Sequence, residues 1–181
     1  MKNKFIKECV WIIVILIVSI LTGTVLMIAS YALPTEPMKM HARETISMMA
    51  DEGDDYKWIL KDFTSMAANF TDSLMINTAV YDGKESLLEK ALLNPRTNYA
   101  EGTQTRKLIN ALQDVPGGDA FTYGRYWHGY LVILKPLLFI FNYYQIRWLN
   151  TIIGCSLISI IMIGFYKKLG SCKYALAFAA S

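Results

Sequence analysis

Two groups of side chains have types and spacings suited to chemistry. The first is a set of carboxylates that follow an N-terminal apolar run: Glu36, the cluster Asp51-Glu52-Gly53-Asp54-Asp55, and Asp72 within Asn69-Phe-Thr-Asp-Ser-Leu-Met75. A carboxylate held near a membrane surface can act as general base on an acceptor hydroxyl, or hold a divalent cation that neutralises a leaving phosphate. Plainer uses exist for the same residues. Acidic groups before a helix complement its dipole, and Asp72, among Phe70, Leu74, Met75 and Ile76, is as well suited to capping a helix as to catalysis. The second group is Tyr123-Gly-Arg-Tyr-Trp-His-Gly-Tyr130. Aromatic faces such as Tyr126 and Trp127 stack on sugar rings, while Arg125 and His128 could hold a lipid phosphate or diphosphate. Trp and Tyr also rest at headgroup depth as simple anchors, and the two roles are compatible.

Several chemistries are absent from the pattern. Cys9, Cys155 and Cys172 are few, odd in number and set in or beside apolar segments, so they read as small apolar residues and not as a disulfide scaffold. No Cys-x-x-Cys occurs, and His41 and His128 stand 87 positions apart, so no metal site is expected from ligand spacing. No Lys/Arg stripe marks a nucleic-acid interface. There is no Gly-rich phosphate loop, Walker pattern or Ser/His/Asp arrangement. Asn69-Phe70-Thr71 matches the N-glycosylation tripeptide, a pattern that also arises by chance.

The elements that must position these groups are apolar helices. Of 181 residues 54% are hydrophobic and 18% charged, and 24 of the 33 charges fall between Glu36 and Arg125. Cys9 to Thr35 is 27 residues without a charge, preceded by Lys2, Lys4 and Lys7. That is long enough to cross a bilayer and longer than the apolar part of a cleaved signal, so a retained signal anchor is expected, despite the small residues of Ser30-Tyr31-Ala32. Trp148 to Tyr166 is a second uncharged run of 19 residues, closed by Lys167, Lys168 and Lys173. Basic flanks at both outer ends place them in the cytoplasm and the intervening region outside. The net charge of +3 is then a topology signal, with −4 carried by the acidic middle segment.

That middle segment reads as short amphipathic helices. Trp58, Ile59, Phe63, Met66, Ala67 and Phe70 fit one helical face, Asp82-Gly-Lys-Glu85 resembles a capping box before Ser86 to Leu93, and Thr105 to Gln113 is a further helix stopped by Val115-Pro-Gly-Gly118. No strand alternation or internal repeat is evident. Residues 127–144 are apolar but broken by Lys135-Pro136, which favours an interfacial or re-entrant helix with Lys135 snorkelling to the headgroups. The expectation is an all-α membrane protein: a cytoplasmic N-terminus (1–8), a first transmembrane helix (9–33), an extracytoplasmic helical loop domain (34–126), the interfacial helix (127–144), a second transmembrane helix (145–166) and a cytoplasmic loop (167–173). Residues 174–181 begin another hydrophobic segment and stop, as at the front of a longer polytopic protein.

Phe70-Thr-Asp-Ser-Leu-Met-Ile-Asn77, the stretch Tyr123 to Leu138 and Gln145-Ile-Arg-Trp-Leu-Asn150 resemble segments of bacterial polytopic membrane proteins similar to glycosyltransferases of the GT-C type. The resemblance implies transfer of a sugar from a polyprenyl-phosphate carrier at the outer membrane face, assisted by an acidic residue of the first external loop. On that likeness Asp72 is the first choice for the catalytic carboxylate and Glu36 the second, and a divalent cation is a possible cofactor. The chain departs from the family in lacking an Asp-x-Asp directly after the first span; Glu52-Gly-Asp54 is the nearest approach. The competing expectation is a non-catalytic membrane protein whose external domain binds a partner or supports a transporter.

Overall fold

An unbroken run of β-branched and aliphatic residues with no internal proline favours one long helix. The computed structural model, which describes residues 2–54, 56–57, 66–122, 128–170, 173 and 177, forms it as α1 (Lys2–Tyr31). Most of its side chains stand exposed, from Val10 to Leu26, while Met27, Ser30 and Tyr31 at its end are buried. A bare apolar rod thus ends inside a folded domain. Along Ile6–Tyr31 the helix is long and apolar enough to cross a membrane, and so is Tyr143–Leu169. The chain divides into two compact units, residues 1–142 and 143–181. The second is essentially one helix, α7 (Tyr143–Leu169), whose outward residues include Ile152, Leu157 and Ile160.

In the first unit, α1 is followed by α2 (Thr35–Glu52), α3 (Asn69–Ala79), α4 (Leu87–Leu93), α5 (Gln104–Leu112) and α6 (Leu131–Ile140). Helix α3 packs on α5, α2 on α6, and α1 on both α4 and α6. The core is small: Met38, Met49, Ile76, Leu108, Leu112, Leu131 and Leu138 are almost fully buried. The architecture is predominantly helical, as the sequence implies, with two short antiparallel ribbons that period-2 alternation did not announce. These are β1 (Tyr56–Lys57) with β2 (Met66–Ala67), and β3 (Arg96–Asn98) with β4 (Asp119–Phe121).

The first ribbon corrects the helix expected over 58–70. Residues 58–65 lie outside the described residues, but Met66 and Ala67 are strand and Phe70 belongs to the first turn of α3. Local fixation at the stem outweighs periodicity: Gly53 ends α2 with φ +72°, the Asn69 amide donates to Glu52 Oε2 at 2.9 Å and Gly53 O at 2.7 Å, and Phe70 N–H donates to Asp54 O. The excursion therefore leaves and returns at one point. The same contacts bury Asn69 completely, which leaves no room for a glycan on the folded domain. Helix α4 forms where expected, but its capping box is Ser86 with Glu89, not Asp82 with Glu85; Ser86 Oγ accepts from Glu89 N–H at 3.2 Å and Glu89 Oε2 accepts from Ser86 N–H at 2.8 Å. These hydrogen bonds hold the Glu89 carboxyl below the usual range. Asn94, left-handed at φ 47°, closes the helix before Pro95.

A helix C-terminus leaves carbonyls without intrahelical partners. Here three basic side chains from other elements supply donors: Arg43 Nε to Leu112 O of α5 at 2.7 Å, His41 Nδ1 to Leu138 O of α6 at 2.8 Å, and Lys135 Nζ to Ala79 O of α3 at 2.6 Å. A carbonyl only accepts, so His41 carries its proton on Nδ1. The third contact overturns the snorkelling expectation. Lys135 is 1% exposed, its ammonium 4.6 Å from the centre of the Tyr31 ring. Attraction to the negative end of α3 and to an aromatic face offsets part of the desolvation cost. Burial still pushes the Lys135 amine down to about 8, with Lys90 adding to the effect and Asp82 opposing it.

Candidate functional site

The β3–β4 ribbon pairs Arg96 with Phe121, and the Arg96 guanidinium lies 4.7 Å from the centre of the Phe121 ring. Asn77 fixes the ribbon against α3 by donating to Thr97 O and accepting from Thr97 N–H. Between ribbon and helix opens a cleft of about 530 Å³, lined on the α3 side by Phe70, Thr71, Leu74, Met75 and Thr78, and opposite by Arg96, Gln104, Phe121, His128 and Tyr130. That volume suits a small ligand. One cation, an amide, hydroxyls and an imidazole converge on apolar and aromatic walls, an arrangement that accommodates a phosphate or a sugar face. Burial holds the Tyr130 phenol above the usual tyrosine range, against the opposing pull of a Thr78 hydrogen bond and the Arg96 charge. Tyr130 therefore presents a hydroxyl donor and not a phenolate at neutral pH.

His128 has a second face. Its ring lies 5.8 Å from that of Tyr130, with Nδ1 3.4 Å from the phenol oxygen. It also lines a groove of about 540 Å³ whose floor is α1, through Ser19, Ile20, Gly23, Thr24, Leu26 and Met27, and whose walls are Ala91 and Asn94 on one side and Gly129, Val132 and Ile133 on the other. Gly23 matters to the groove's depth, because a Cβ there would meet nothing within 4 Å. Both openings are mostly apolar; the first adds the Arg96 charge, the Gln104 amide and the aromatic rings, the second is set against a helix fit to cross a membrane, and both are lined by His128.

Among the residues singled out by sequence, His128 takes this central place. Arg125, Tyr126 and Trp127 lie outside the described residues. Asp72 sits in the first turn of α3, its N–H bonded to Ala68 O, where a carboxylate complements the helix dipole. Its neighbours Phe70 and Thr71 line the cleft, but Asp72 does not. Glu36 is exposed in the first turn of α2 and pairs with Lys39 at 3.3 Å. It lines neither opening. Asp54, of the acidic cluster, caps α5 by accepting from Gln104 N–H, Thr105 N–H and Thr105 Oγ1, the last at 2.6 Å. No group of three or more metal-ligating side chains occurs among the described residues. The residues that sequence reasoning missed are Arg96, Gln104, Phe121 and Gly23. A pairing across 25 positions and a gap beside one helix leave no local signature, although Arg96 directly after Asn94-Pro95 does mark a chain reversal. No family model, curated protein or solved structure matches this chain, and the site stands on its own geometry.

Proposed function

We propose that this is a multi-pass membrane protein with a cytoplasmic N-terminus, whose helical domain on the outer side binds a lipid-linked phosphate or glycosyl phosphate as part of a glycosyltransferase-like activity. The observation that carries the reading is the sharing of His128 between the cleft that holds Arg96 and the groove on α1. An amphiphile has two ends of matching character: a phosphorylated head for Arg96, Gln104 and Tyr130, and an isoprenoid tail for the groove over Gly23. Lys2, Lys4 and Lys7 in the first turns of α1, with Lys167 and Lys168 in the last turn of α7 and Lys173 after it, support the orientation. Asp72, one residue beyond the cleft wall, is the carboxylate nearest in sequence to it and the candidate base.

The test is equilibrium binding of a short-chain polyprenyl phosphate to the full chain in detergent, with the parent polyprenol as control. The phosphate should bind more tightly, and Arg96→Gln should weaken its binding by roughly tenfold or more, the loss expected for a charge-assisted hydrogen bond, while leaving the polyprenol unaffected. Equal binding of phosphate and alcohol would remove the reading. One observation favours a second reading, a non-catalytic membrane protein whose domain binds or presents its ligand: no carboxylate lines either opening among the described residues. Transfer from a polyprenyl-phosphate sugar that Asp72→Asn abolishes supports the enzyme; ligand binding without transfer supports the carrier.

A further inference from the structure

The apolar surface of α1 does not stop at α1. Leu88 and Leu92 of α4 are 50% and 62% exposed, and Ile133 and Ile140 of α6 are 66% and 62% exposed. We propose that α4 and the outer face of α6 are sunk in the leaflet nearest the domain, beside α1, as a shelf whose partner is the lipid hydrocarbon itself. This rests on α1 being a membrane span. Depth carries the argument. Counting from Glu8, the last charge before the apolar run, about 20 residues at 1.5 Å each fill ~30 Å of hydrocarbon, which ends near Ile28. The groove floor, Ser19 to Met27, lies in the half of that stretch nearer the domain. Ala91 of α4 and Val132 and Ile133 of α6 line the same groove and therefore reach the same depth.

The chemistry of the two short helices agrees with that depth. On α4, Leu88 and Leu92 share a face one turn apart, Ala91 is buried, and Glu89, across the helix from Ala91, is held at the N-terminal end by Ser86 N–H and Oγ. Asn94 at its end is satisfied within the protein, donating to Ala91 O and accepting from Tyr31 Oη. Unsatisfied polar groups are costly in hydrocarbon. On α6, Ile133 and Ile140 are seven residues apart and share a stripe, and Lys135, the helix's one charged side chain, is turned inward onto Ala79 O. The lipid-facing side of α6 therefore carries no charge. Lys90 has the length to extend its ammonium toward the headgroups.

Spin labels test the assignment in the full chain, reconstituted in phosphatylethanolamine and phosphatidylglycerol vesicles with the three native cysteines changed to serine. Single labels enter through Val18→Cys on α1, Leu92→Cys, Ile140→Cys and the exposed Lys84→Cys, all at outward positions that leave the core intact. Collisions with oxygen should exceed those with a water-soluble nickel chelate at Val18, Leu92 and Ile140, by several-fold over the ratio at Lys84. If Val18 is lipid-like while Leu92 or Ile140 matches Lys84, the shelf is overturned for that helix and the span stands. If Val18 also matches Lys84, the span and the shelf fall together.

Discussion

Helices α6 and α7 are both overwhelmingly apolar and are separated only by Phe141 and Asn142, yet they are used in opposite ways. In α6, Leu131, Leu134, Lys135 and Leu138 are buried among α1, α2 and α3, and the carbonyl of Leu138 is met by His41. In α7, none of the most apolar stretch is buried. Length separates the two: 10 residues rise about 15 Å, half of a hydrocarbon core, whereas 27 residues rise about 40 Å. A short apolar helix must find a protein partner for one face, and it can then turn a lysine inward. A long one meets its requirements by satisfying its own backbone. Apolarity alone therefore says little about which helix crosses a membrane, and burial of one face says more.

Substitutions sharpen that contrast. The largest effect is expected for Leu157→Lys in α7: a central lysine should lower the inserted-to-uninserted ratio of the 143–169 segment in a host membrane protein by roughly 100-fold. Unchanged insertion would break the contrast, since α6 carries a lysine natively. Next, Leu138→Ala in α6 should destabilise the domain by about 2–5 kcal/mol in denaturant unfolding, because a fully buried side chain leaves a cavity. Ile160→Ala in α7, at a position 63% exposed, should change stability by less than about 0.5 kcal/mol.

The pH dependence of α6 is a finer test. The folded Lys135 amine is held at about 8, below its ordinary 10.5, so between those values the unfolded chain binds more protons than the folded one. Stability should therefore rise with pH across that window, by up to about 3 kcal/mol. The neutral amine can still donate to Ala79 O. Lys135→Met should flatten the rise, as read by melting temperature at pH 7.5 and 9.5; a rise that persists in the variant would assign it to another group. For α6 the smallest effect is expected for His41→Ala, about 1 kcal/mol for loss of the hydrogen bond that closes the helix.

The parts of the fold legible from sequence are those fixed by local chemistry. The two long helices follow from uninterrupted apolar runs, α4 and α5 from caps and stops such as Asn94-Pro95 and Val115-Pro-Gly-Gly118. Lys135 was misread because its partner, the end of α3, is 56 residues away, and a hydropathy pattern cannot tell an inward lysine from one reaching for headgroups. The cleft was half legible. His128 stood out by its aromatic company, but Arg96 and Gln104 join it only through the β3–β4 pairing and the packing of α5 on α3. Asp72 and Glu36 attracted attention as carboxylates after a span, and both prove to occupy first turns of helices, where a negative charge is favourable in its own right.

The central claim is that one amphiphile occupies both openings, and a crossed comparison tests it most directly. Binding of a long-chain and a very short-chain polyprenyl phosphate is measured for the parent chain, Gly23→Phe and Arg96→Gln. Filling the groove with Gly23→Phe should weaken the long-chain ligand and leave the short-chain one unchanged, while Arg96→Gln should weaken both. If Gly23→Phe leaves long-chain binding intact, the tail does not lie on α1 and the shared role of His128 is contradicted.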